Sequence, residues 1–136
     1  MAAAGYDEAT LDASRLAAVE AREAAVETAI QSGDSAAAVA AALDNPPLGT
    51  KDAGIKARNA AVVLRAMAAV KDADIDGIVA AMSPDEADTC MKYVYKGLES
   101  NNTTAISGSL FKWHAQLVEK SGLGCIVRTM TDRKTV

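Results

Sequence analysis

A chain of 136 residues, half of them apolar, is close to the commonest size for one domain and can bury roughly two-thirds of its unfolded surface without a disulfide or metal staple. Much of the apolar content is alanine and only 4% of the chain is aromatic, which favours helices over strands. A net charge of −4 argues against non-specific binding to nucleic acid or to an anionic membrane surface.

Residues 1–12 are small, polar and acidic, with only Tyr6 and Leu11 able to anchor anything, and read as a mobile N-terminal arm. Residues 13–136 read as a single all-helical domain. A helical pattern runs from about Asp12 to Gln31, with Leu16, Val19, Val26 and Ile30 on one face. Glu23 interrupts that stripe and forms a like-charge i,i+4 pair with Glu27, so only Val26–Ile30 is expected to dock. Gly33 suits the residue just past the helix end, and Asp34 suits the cap of a short helix through Leu43. Asn45-Pro46-Pro47 stops that helix, and Thr50 is the expected cap of the next.

Lys51–Lys71 carries the strongest helical signal. Between Ala60 and Val70 only Arg65 is polar, which predicts a central helix covered on every side. Asp72–Asp76 supplies caps for a short helix bearing Ile75, Ile78, Val79 and Met82. Ser83-Pro84-Asp85-Glu86 is a capping box with proline at the first helical position. The helix it launches runs to about Glu99, with Cys90, Met91, Val94, Tyr95 and Leu98 on one face and Lys92, Tyr93 and Lys96 on another. After a break at Asn101-Asn102-Thr103, a helix over about Thr104–Lys120 places Ile106, Leu110, Trp113, His114 and Leu117 on one side, with Phe111 and Val118 beside it. A last helix has Leu123, Ile126, Val127 and Met130 in one stripe, ahead of a basic tail ending Arg133-Lys134-Thr135-Val136. No alternating run or hairpin dipeptide signals a strand. The fold class is all-α: about seven short helices in a compact bundle or superhelix, neighbours antiparallel through short connectors.

Catalytic chemistry finds little support. His114 is the single histidine, lies beside Trp113 on a buried-looking stripe, and has no orienting partner nearby in sequence. Cys90 and Cys125 belong to no Cys/His cluster and read as buried, reduced thiols. Asp72, Asp74, Asp76 and Gly77 match the opening of a calcium loop, yet Ser83 stands where that loop needs a bidentate glutamate. Gly122-Leu123-Gly124 lacks the strand and the lysine of a phosphate loop. No cofactor or metal is expected. No secretory signal is visible in Met1–Tyr6 and no apolar run reaches the roughly 18 residues of a membrane span, so a soluble cytoplasmic protein is expected. The Lys92/Tyr93/Lys96 face is either solvated or an interface, with tyrosine between lysines tilting the reading toward the second. Arg128, Arg133 and Lys134 either complement the last helix dipole or meet an acidic partner.

Several stretches together carry a resemblance. They are Leu43-Asp44-Asn45-Pro46-Pro47 with Thr50-Lys51, the block from Met91 to Ser100, Trp113-His114, and Gly122–Arg128 running into Arg133-Lys134-Thr135-Val136. In this order and spacing the region from about Val26 to Val136 resembles the subunit 5 family of the actin-related protein 2/3 complex, the nucleator of branched actin filaments. That resemblance implies an all-helical, non-catalytic scaffold in the cytoplasm. Such a scaffold docks on subunit 4, lies against the β-propeller subunit 1 and reaches actin-related protein 2 through its N-terminal arm, acting on actin indirectly.

By that analogy Lys92, Tyr93, Lys96, Arg128, Arg133 and Lys134 are interface candidates, and Trp113 and His114 are core or interface-edge residues. The N-terminus departs from the family pattern. Tyr6-Asp7-Glu8 is similar to a family segment, but the basic-aromatic element ahead of it is missing, leaving Tyr6 and Leu11 as the arm's anchors. The competing expectation is a free-standing helical adaptor that binds a partner helix or peptide in a groove.

Overall fold

The computed structural model describes residues 8–100 and 104–136. All of the regular structure among them is helical: α1 (Glu8–Gln31), α2 (Ser35–Leu43), α3 (Ala53–Ala68), α4 (Ile75–Ala81), α5 (Pro84–Ser100), α6 (Thr104–Ser121) and α7 (Gly124–Thr131). A 3-10 turn at Asp72–Asp74 leads into α4. Helix α1 packs on α2 and α3, α3 meets α5, and α5 lies against α6 and α7, while α4 packs on α6. The all-α expectation holds. Tyr6, the Asn101–Thr103 break and the side chain of Ile106 lie outside the described residues.

Local chemistry explains most helix ends. At the close of α1, Gly33 adopts φ 80°, and the amides of Gly33 and Asp34 bond back to the carbonyls of Ile30 and Ala29, both at 3.0 Å. This is the paired-bond glycine stop, which satisfies carbonyls that the helix leaves open. Asp34 then caps α2 by accepting from the Ala37 amide at 3.0 Å. The capping box forms reciprocally: the Glu86 amide donates to Ser83 Oγ at 3.1 Å and the Ser83 amide to Glu86 Oε1 at 3.2 Å. Gly122, with φ 71°, turns the chain between α6 and α7.

Three local expectations need correction. Helix α1 begins at Glu8, so Leu11 and Asp12 are helical and half-buried. Its first half is docked, because Val19 is buried there and Asp12 Oδ1 accepts from Thr50 Oγ1 at 2.6 Å. Arg58 pairs with Glu20 and Glu23 and Arg65 with Glu27, so facing cations compensate the like-charge pair that seemed to weaken α1. Second, α3 is capped by Asp52 rather than Thr50: Asp52 Oδ1 accepts from the amides of Gly54 and Ile55, while Thr50 is spent on Asp12. Third, α3 is not covered all round. Ile55, Asn59, Ala60, Val62, Val63, Ala66 and Met67 are buried, whereas Ala57, Ala61 and Ala68 face out. Alanine is apolar by composition but costs little when exposed, so an alanine-rich run overstates burial.

The core gathers Met67 of α3, Ile75 of α4, Met91 and Tyr93 of α5, and Leu110, Trp113 and Leu117 of α6, all fully enclosed. Val136, the last residue, is only 5% exposed and joins the same core. The chain end is therefore a strap laid back across the bundle.

Candidate functional site

The side chains singled out from sequence do not share one surface. Helix α5 turns about 100° per residue, so Lys92, Tyr93 and Lys96 spread over a wide arc. Tyr93 falls at the inner end of that arc. It is fully buried, and its Oη accepts from Asn59 Nδ2 at 2.5 Å. Asn59 Oδ1 in turn accepts from Arg22 Nη1 at 2.6 Å, and Arg22 Nη2 donates to the carbonyl of Asn45 at 2.8 Å. Burial pushes the Tyr93 phenol up to about 12, with Asn59 and Arg22 pulling the other way.

Arg22 and Asn59 went unrecognised in the sequence. The signal present was a cation and an amide set into apolar helical faces, at Val19–Val26 and just before Ala60–Val63. The chain they form ties α1, α3 and α5 to the Asn45 turn, whose φ of 48° lies in the left-handed region. Trp113 is also fully enclosed, and among the described residues its Nε1 finds no hydrogen-bond partner. It is a core residue of α6. His114 beside it is half-buried, bonded through Nε2 to Tyr95 Oη at 2.9 Å, with the two rings meeting edge to face at 5.5 Å.

The remaining described candidates, Leu11 excepted, lie where α5, α7 and the strap meet. Lys92 is 12% exposed, with Nζ donating to Asp132 Oδ2 at 2.7 Å and to the Lys134 carbonyl at 3.0 Å. The Lys92 ammonium, helped by the Lys134 amide, holds the Asp132 carboxyl below its usual range. Lys56 Nζ secures the strap a second time through Thr135 Oγ1 at 3.1 Å. Arg128 forks onto Asp88 through Nε at 2.7 Å and Nη2 at 3.0 Å, which pins α7 to α5 and raises the guanidinium further. Beneath it Cys125 is buried, and desolvation lifts its thiol to about 11, with the Asp88 charge adding to this. Cys90 is pushed up in the same way.

Lys92 and Arg128 are thus occupied inside the fold. Lys96 is half-buried, while Arg133 and Lys134 are exposed. Lys92, Lys96 and Lys134, together with the carboxylate of Glu99, line a groove of about 380 Å³ that also exposes Tyr95, Met130 and Val136. Leu11 sits half-buried in the first turns of α1, well apart in sequence and element from that groove.

Of the apolar stripe read at helical spacing in the last helix, Leu123, Val127 and Met130 are 70%, 58% and 63% exposed. Cys125 is its buried residue, with Ile126 half-buried. Among the described residues no group of three acidic, histidine or cysteine side chains is placed to hold a metal ion, and no helix is long and apolar enough to cross a membrane.

An arrangement of tied helices with an uncovered apolar stripe offers contact surface. Comparison with known proteins gives the family. Residues 4–136 match the family model described as the ARP2/3 complex 16 kDa subunit (p16-Arc). The chain belongs to that family. It is 38% identical, over 92% of its length and 88% of the relative's, to actin-related protein 2/3 complex subunit 5 of Dictyostelium discoideum. It is 37% identical over 84% of the chain to subunit 5-C of Xenopus laevis, covering 75% of that protein. The human subunit 5-like protein is 37% identical over 82% of the chain and 72% of its own length. The family resemblance drawn from Val26 onward therefore extends through α1 as well.

Proposed function

We propose that this protein is a non-catalytic subunit of the actin-related protein 2/3 complex, supporting assembly of the complex and nucleation of branched actin filaments. The observation that carries this reading is the family match along almost the entire chain, with relatives named as subunit 5 of that complex. The helical bundle supports it: the Arg22–Asn59–Tyr93 network is internal, and Leu123, Val127 and Met130 are left exposed on the last helix. The immediate partners are the other subunits, with docking on subunit 4 and against subunit 1, and with actin-related protein 2 tethered by the N-terminal arm. The protein then works in the cytoplasm, at sites of branched actin assembly.

Co-expression of the tagged chain with the remaining subunits from the same organism tests the reading. Stoichiometric recovery in one assembled complex is the expected result; a clean monomer with no actin-related partner contradicts it. Leu11 and Asp12 are part of α1, so the arm is tested by deleting residues 1–7 alone. The shortened chain keeps its helical spectrum and enters the complex, while actin-related protein 2 dissociates more readily from it.

A further inference from the structure

The row Leu123, Val127 and Met130 is left without cover among the described residues. Spacing of i, i+4 and i+7 puts the three side chains on one side of α7, over about 10 Å of helix. All are more than half exposed, although large apolar side chains usually seek cover. Met130 also lines the groove that holds Lys92, Lys96, Glu99 and Lys134, so the apolar row and the lysine groove form one continuous surface. Among the described residues no carboxylate pairs with Lys96 or Arg133, while the Lys134 charge acts on the Asp132 carboxyl that Lys92 already holds. Lys92, Lys96, Arg133 and Lys134 outnumber the nearby Glu99 and Asp132, so this end leans cationic although the chain as a whole carries −4.

We infer that the outer face of α7 and the adjoining lysine groove dock an amphipathic helix of another subunit, one whose apolar stripe is bordered by carboxylates. This rests on the proposed membership of the complex and adds where, and with what chemistry, the chain is held. A ridge of three apolar side chains fits the groove between ridges of a second helix. Lys96, Arg133 and Lys134 then meet the carboxylates along the border, which fixes register and orientation. A second copy of this chain is a poorer occupant: a two-fold pairing of the face sets one cationic rim against another. Nucleic acid would meet the lysines and leave the three apolar side chains exposed.

The test introduces Val127→Asp and Lys134→Glu separately into the full chain, with Ala61→Asp on the exposed side of α3 for comparison. Each variant is first shown to keep the wild-type helical spectrum and urea midpoint, as substitution of exposed side chains allows. Each is then mixed with the remaining subunits. Val127→Asp is expected to lower the affinity for the assembly by roughly tenfold or more. Lys134→Glu weakens it less, and flattens its dependence on salt. Ala61→Asp enters as wild type does.

Normal entry of Val127→Asp while wild type also enters overturns the docking face but leaves membership standing. An equal loss from Ala61→Asp overturns it too. Failure of the wild-type chain itself removes membership, and the inference with it. A photo-reactive residue placed at position 127 gives an independent readout. Cross-linking to an acidic helix of another subunit supports the assignment; cross-linking only to a second copy, or to none, defeats it.

Discussion

Asn59 and Tyr93 meet inside the bundle, where Asn59 Nδ2 donates to the phenol oxygen of Tyr93 at 2.5 Å while Asn59 Oδ1 takes a bond from Arg22 at 2.6 Å. One buried amide thus joins α1 to α5 through α3. Its two ends are not interchangeable, because Oδ1 can only accept and Nδ2 can only donate.

Tyr93→Phe removes the acceptor and keeps the ring in place. The Asn59 amide is then left with a buried N–H lacking its partner, which costs about 1–3 kcal/mol. Asn59→Leu removes both bonds and leaves Arg22 with only the Asn45 carbonyl as partner, so it is expected to cost more than Tyr93→Phe. Urea denaturation of the two single variants and the double variant measures the coupling. Additive losses would show that the three side chains do not act as one network.

The same burial gives the fold a weakness at high pH. The Tyr93 phenol moves from 10.0 up to about 12 and the Cys125 thiol from 9.0 up to about 11, with Cys90 also raised. Folded values above unfolded values mean that the unfolded chain gives up these protons first. Stability is therefore intact below about pH 9 and falls as pH rises toward the folded values. The urea midpoint should hold at neutral pH and drop steadily into this range. Cys90→Ala, which removes one buried thiol, should flatten part of the slope. A midpoint that stays level to pH 11 would contradict the assignment.

What could be read from sequence follows the range of the interactions. The Ser83–Glu86 box, the Asp34 cap and the Gly33 stop depend on residues within a few positions, and all form as expected. Tyr93 could not be placed because its environment comes from Arg22 and Asn59, remote in sequence. On a helical wheel its burial and its exposure look alike until the position of α3 is known. The row on α7 shows the converse. Apolar periodicity located one face of the helix correctly, and periodicity cannot say whether the cover for that face lies within the chain. Lys92 and Arg128 looked available because Asp132 and Asp88, which hold them, are 40 residues away.

The strap yields a prediction that separates stability from docking. Val136 is buried and Thr135 holds Lys56, whereas Arg133 and the Lys134 side chain face outward. Deleting Thr135 and Val136 should therefore lower the unfolding free energy by about 1–3 kcal/mol, chiefly from the lost valine burial. The exposed Lys56–Thr135 contact adds little. Arg133→Ser should leave stability unchanged within about 0.5 kcal/mol. Denaturation midpoints of the two variants decide the matter. Equal stability of the truncated and full chains would mean that Val136 is not part of the core in solution.

Gly97 raises a question of sign. Alanine is favoured over glycine inside a helix by about 1 kcal/mol, so Gly97→Ala should help α5 if the site had room. It does not: a Cβ there would lie 2.7 Å from Leu110 Cδ1 and 2.9 Å from Leu64 Cδ2. Leu64 of α3 is half-exposed and can swing aside. Leu110 of α6 is 1% exposed and packed into the core, so it has nowhere to go. Overpacking of this kind costs about 1–3 kcal/mol, which offsets or outweighs the helical gain. Gly97→Ala is accordingly expected to be less stable than wild type by up to about 2 kcal/mol. Leu110→Val beside it should restore part of that loss, because the shorter side chain vacates the clashing position. A double-variant cycle in urea reads the coupling directly. A stabilised Gly97→Ala would mean that α5 and α6 separate more easily than their packing indicates, and no coupling to Leu110 would move the clash to Leu64 alone.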